Sequence, residues 1–119
     1  MKPHTVIRLA LLAAVLACSL AAASEAAGAW DCAAITPDGD ELKFTLTVKD
    51  DGGKFSGNVD DGSGQLPIIE PKFESSTLEF KLDYDGNRHT LTLKIAGDKL
   101  EGTYSGGGAS GKIKGARKQ

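Results

Sequence analysis

Cysteine is nearly missing from this chain. One of the two, Cys18, sits in an apolar N-terminal stretch, and Cys32 stands alone after it. No disulfide framework is available to staple the fold, and a thiolate metal cage is excluded by count. Histidine is as scarce, with only His4 and His89, so there is no histidine pair at the spacing of a zinc hydrolase. A complete phosphate loop and a nucleophile elbow are also absent. The longest apolar run, Leu9 to Leu20, is short of the roughly 20 residues a membrane-crossing helix requires. No part of the chain repeats its apolar residues at helical spacing.

The N-terminus does carry a layout of its own. Lys2 and Arg8 precede the apolar run, and small residues follow it, the order of a secretory signal. Residues 1–23 are read as a signal peptide with cleavage between positions 23 and 29, residues 24–29 as a short linker, and residues 30–118 as a single domain. An alternative reading takes Val15-Leu16-Ala17-Cys18 as a lipobox, with Cys18 lipidated and the protein anchored to the envelope. Either way the product is exported, periplasmic or secreted.

Removing Lys2 and Arg8 leaves 12 basic residues against 16 acidic ones, a net charge near −4. That balance argues against nucleic acid or anionic lipid as a partner. The basic end at Lys112, Lys114, Arg117 and Lys118 reads as a solubilising strand that blunts a sheet edge.

What the chain has in quantity is alternation and turns. Leu42, Phe44, Leu46 and Val48 alternate with Lys43, Thr45, Thr47 and Lys49, as in a strand with one buried face. Strands are expected at 29–36, 41–49, 54–59, 65–74, 77–84, 88–95, 99–105 and 110–117, separated by turns rich in Asp and Gly. The strand at 65–74 contains Pro67 and Pro71, which cannot donate ladder hydrogen bonds, so it should be bulged, short or at an edge.

The chain also nearly repeats itself. Thr45-Leu46-Thr47-Val48-Lys49 and Lys54-Phe55-Ser56-Gly57 recur as Thr90-Leu91-Thr92-Leu93-Lys94 and Lys99-Leu100-Glu101-Gly102, at a constant offset of 45 residues. Two similar halves that cannot bury their faces alone predict an all-β, eight-stranded, up-and-down antiparallel barrel of lipocalin or avidin size. Its last strand should close on its first, around a pseudo-twofold axis. A two-sheet sandwich is the structural alternative. At eight strands the interior holds side chains or one small ligand.

Candidate chemistry is thin. Parity turns His89 inward, at the repeat position held by Phe44, and turns Cys32 inward beside Trp30 and Ala34. A catalytic thiol would need a positioned base, and His89 is the sole candidate; a buried structural thiol is the simpler reading. The acidic turns suit hard cations by composition, but none has the spacing of an EF-hand loop, and Asp and Gly are what turns demand. No cofactor or metal is expected. The aromatic set Trp30, Phe80, Tyr84 and Tyr104, inward beside Ala34, Gly57 and Gly102, outlines with His89 either a pocket at the barrel mouth or large-small packing.

With Trp30, Pro37-Asp38-Gly39, Phe44-Thr45-Leu46 and Gly53-Lys54-Phe55-Ser56-Gly57 on view, the chain resembles small secreted bacterial β-modules with W…PDG…FTL…GxxxGxV patterns. These modules occur alone or attached to larger exported proteins, and most have no assigned function. The resemblance spans Trp30 to Lys118 and implies a fold, with no catalytic residue to carry over. A looser likeness, through Trp30 and Cys32, is to periplasmic eight-stranded barrels that inhibit proteases or lysozymes; those commonly pair that cysteine with a second, which this chain lacks. The expectation is a non-enzymatic binding or accessory module, monomeric or weakly oligomeric, that holds a small or apolar ligand at the barrel mouth. A protein-interaction role through the turns or through Ile69 and Phe73 is the alternative.

Overall fold

In a computed structural model, residues 25–118 are described; the expected signal segment and Cys18 lie outside them. The described residues contain nine strands and no helix: β1 Gly28–Ile35, β2 Glu41–Asp51, β3 Lys54–Asp60, β4 Gln65–Pro67, β5 Ile69–Glu74, β6 Thr77–Tyr84, β7 Asn87–Ala96, β8 Lys99–Gly106 and β9 Ala109–Arg117. All pair antiparallel in the order β4-β3-β2-β1-β9-β8-β7-β6-β5, a nearly closed barrel. The expected return of the last strand to the first is the β1–β9 ladder, from Trp30 opposite Arg117 to Ile35 opposite Lys112.

The count is nine because the proline-bearing strand is cut in two. β4 ladders only with β3, and β5 only with β6. Between them Ile68 is buried, and its N–H donates to Gly57 O at 3.1 Å. One extra residue enters β5 between Ile69 and Lys72, where Glu70 adopts φ 50°, so a bulge interrupts the ladder where Pro71 has no N–H to donate. The two ends of the sheet order are therefore both pieces of one expected strand. Side chains seal the gap that hydrogen bonds leave, as with Phe55 of β3 and Phe73 of β5, whose ring centroids lie 5.8 Å apart.

The internal repeat becomes two hairpins of identical register. Thr45 pairs with Asp60 and Val48 with Gly57 in β2–β3; Thr90 pairs with Ser105 and Leu93 with Gly102 in β7–β8. In barrel order these hairpins stand half a turn apart, which is the pseudo-twofold arrangement. The repeated glycine has a steric cause. A Cβ at Gly57 would overlap Thr47 O, and one at Gly102 would overlap Thr92 O. Each hairpin coils so tightly at that point that only hydrogen fits.

The interior is filled by Trp30, Leu46, Leu78, Phe80, Leu93, Ile95 and Leu100, all almost wholly inaccessible. One end of the barrel is plugged. Ala26 is fully buried there and accepts a 3.2 Å hydrogen bond from Trp30 Nε1. Arg117 holds this plug in place: Nη1 donates to Ala27 O at 2.7 Å and Nη2 to Glu25 O at 2.9 Å. Its guanidinium lies 4.2 Å from the Trp30 ring centroid, a cation–π contact. The ion pair to exposed Asp98 at 3.2 Å adds little in water.

Gly57→Ala or Gly102→Ala is expected to lower stability by about 1–3 kcal/mol, seen as a reduced urea midpoint at unchanged slope. Ser56→Ala on the exposed face should move it by less than about 0.5 kcal/mol. Arg117→Ala should cost about 1.5–3 kcal/mol through its charged hydrogen bonds and shift Trp30 fluorescence to the red as water reaches the ring. Trp30 emission unaltered in that variant would contradict the plug.

Candidate functional site at the barrel mouth

The end opposite the plug is open. There, a cavity of about 350 Å³ reaches into the barrel from the ends of β1, β3, β6 and β8 and the beginnings of β2, β4, β7 and β9. That volume sits in the lower range of small-molecule sites. Leu82, Leu91, Val59 and Ile113 form its apolar interior, and Glu41, Lys43 and Asp61 stand among its charged lining. The two large apolar side chains most exposed among the described residues, Leu42 at 48% and Tyr84 at 38%, both line this cavity.

His89 lies beside two tyrosines. Its ring centroid is 6.2 Å from that of Tyr84 and 6.5 Å from that of Tyr104, the latter edge to face at 85°. Tyr104 is placed by a missing side chain: opposite it on β9 is Gly111, where a Cβ would crowd the phenol. With that room the Tyr104 hydroxyl donates to Ile35 O at 3.2 Å, tying β8 to the end of β1. On the neighbouring hairpin Arg88 grips Asp83 through two bonds of 2.8 and 3.1 Å, bracketing the turn that carries Tyr84. The Arg88 guanidinium holds the Asp83 carboxyl below its usual range. Asp61 is likewise held low, first by the Ser63 hydroxyl at 2.7 Å and then by the Ser63 N–H, so it stays anionic at the rim.

The repeat sharpens this geometry. Phe44 and His89 are repeat mates, as are Val59 and Tyr104, and all four line the cavity. The two halves therefore present the same positions to one space, apolar from one side and polar from the other.

Two of the aromatic residues expected at the mouth are elsewhere. Trp30 is fully buried at the plugged end, opposite Leu46 and Arg117. Phe80 is 1% exposed and packs in the core, outside the cavity lining. Both do face inward. Alternation specifies the face of a strand but carries no information on height along the barrel axis, and these two sit at other levels from Tyr84, His89 and Tyr104. Lining residues that the sequence did not single out include Leu66 and Glu41, brought in by the broken strand and by the turn at Pro37-Asp38-Gly39; no local signal marks them.

Cys32 is a core residue. Its Sγ lies 3.8 Å from Trp30 O, and Gly115 opposite it leaves the sulfur room. Burial first, then the Asp31 charge, pushes its thiol up to about 12, opposite to what a nucleophile requires. The acidic turns use their oxygens internally: Asp50 accepts from Gly53 N–H and Asp60 from Gly62 N–H. Among the described residues, no three His, Cys, Asp or Glu side chains converge as a metal site, and no helix is long and apolar enough to cross a membrane. A larger but shallower hollow of about 1050 Å³ lies over the outer sheet surface. Lys94, Glu101 and Lys114 are cross-strand neighbours there, the alternating charges of a solvated face.

No protein-family model matches the chain, and no curated protein matches it.

The Cys32 environment yields a test with a definite sign. The native thiol keeps its proton to about 12 while the unfolded one loses it near 9.0, so stability should fall as pH rises through that window. Cys32→Ala should flatten the slope between those limits. Native protein at neutral pH should resist Ellman's reagent and react once unfolded; rapid native labelling would overturn the assignment.

Proposed function

We propose that the protein is a small exported, non-enzymatic binding or accessory module that holds a small apolar ligand in the mouth of its barrel. The observation that carries this reading is the cavity itself: an apolar interior, a polar rim and exposed Leu42 and Tyr84, all at one end of an otherwise filled core. A buried, protonated Cys32 outside that cavity lining supports reading the site as one that binds without reacting. The N-terminal sequence supports export, periplasmic or secreted.

A second reading makes the mouth a contact for another protein, as an inhibitor-like or envelope structural component. Leu42 and Tyr84, exposed at the rim, favour it. Ile69 and Phe73 offer less to a partner, being half-buried, with Phe73 against Phe55.

N-phenyl-1-naphthylamine, a neutral apolar fluorophore, should bind the protein saturably, and Ala34→Phe, which fills the cavity from β1, should weaken it at least about tenfold. Native mass spectrometry of protein purified from its own envelope should show a bound small molecule and report the N-terminus. No saturable binding, or equal binding by Ala34→Phe, would count against the reading.

A further inference from the structure

The cavity is not chemically uniform, and its asymmetry bears on what it accepts. The buried residues of its lining, Val59, Leu82, Leu91 and Ile113, are all apolar, and its polar residues are half-buried or exposed. Tyr104 has its hydroxyl engaged on Ile35 O, and Tyr84 is partly exposed at the rim. His89 is half-buried, with Nδ1 against Gly106 and its ring beside the two tyrosine rings. Tyr84 and His89 are thus the lining aromatics whose polar atoms have no hydrogen-bond partner among the described residues, and His89 is the more buried of the two. Its repeat mate Phe44 lines the same cavity as pure hydrocarbon.

The charges around it restrict the partner. Asp61, held ionised by Ser63, and Glu41 line the cavity with Lys43. An anionic head group would meet two carboxylates at the rim. A bare hydrocarbon would leave the imidazole desolvated and unpaired, which is costly. A hydroxyl satisfies both constraints, because it is uncharged and can donate to or accept from the imidazole. The volume, about 350 Å³, corresponds to roughly a dozen water molecules at about 30 Å³ each, the scale of one substituted ring or a short chain.

We propose that His89 is the specificity-determining residue of the mouth and selects neutral apolar molecules that carry a hydroxyl, of the phenol or alcohol class. The proposal rests on the ligand-binding reading of the cavity. In the bound state the apolar body lies against Leu82, Leu91 and Ile113, and the hydroxyl meets the imidazole. Tyr104 meets the His89 ring edge-on and Tyr84 meets it tilted, as aromatic neighbours do.

Toluene and p-cresol have the same shape apart from one hydroxyl, and amide NMR titration of the protein with each reads both affinity and location. p-Cresol should bind more tightly than toluene, with shifts at Leu91, Tyr104 and the start of β9. His89→Phe, which copies the Phe44 half, should lower the p-cresol to toluene affinity ratio about tenfold, the loss of one net hydrogen bond, while toluene binds as well or better. His89→Gln, which keeps a donor and an acceptor, should restore most of the ratio. An unchanged ratio in His89→Phe with both probes still bound in the cavity overturns the role of His89 and leaves the cavity reading standing. If neither probe perturbs the lining residues of the unaltered protein, the cavity reading itself falls. Circular dichroism of each variant separates these results from a failure to fold.

Discussion

Short antiparallel strands cannot each bury an apolar face in isolation, and the ladder from Trp30 opposite Arg117 to Ile35 opposite Lys112 turns a meander into an enclosure. With β1 and β9 joined, the inward side chains of all strands share one interior, and two exposed edges disappear. The remaining discontinuity is confined to one strand, where Pro67 and Pro71 make continuous pairing impossible and the gap is closed by side chains instead. Plug and mouth follow from the same closure. Arg117 is the last residue of β9, so the ladder that closes the barrel also delivers the guanidinium to the Glu25 to Ala27 carbonyls and to Trp30.

The sequence was most readable where one residue type had one cause. β6 runs over Thr77–Tyr84 as the unbroken alternation predicts, and the glycines of the repeat mark positions where backbone approaches backbone. The proline pair announced an interrupted strand, but not that its two pieces would ladder with different neighbours; that depends on how β3 and β6 are spaced around the barrel. The role of Arg117 was hidden for another reason. Its partners Glu25 and Ala27 lie at the far end of the described chain, and no local pattern encodes a contact of that span.

For the candidate site, the face of each residue was legible and its depth was not. Trp30, Phe80, Tyr84, His89 and Tyr104 all belong to the inner surface, yet only the last three meet at the mouth. Height along the axis comes from register between strands, which is a tertiary quantity. The departures between repeat halves proved more informative than composition. Phe44 against His89 and Val59 against Tyr104 fall in one cavity, so the duplicated part supplies the walls and its divergence supplies the polarity.

The closing ladder also differs from the hairpins in the length of chain it spans. Hairpins such as β2–β3, β6–β7 and β8–β9 join neighbours across two-residue turns and can form in microseconds. The β1–β9 ladder instead joins segments on the order of 80 residues apart, with the loop entropy that span carries. Until it forms, β1 and β9 are open edges, competent to recruit the same strands from another copy. Lys112 and Lys114, spaced along β9 on the outer face, give that waiting edge a positive charge that repels its own kind. In the finished barrel that edge is paired with β1 and no longer displayed.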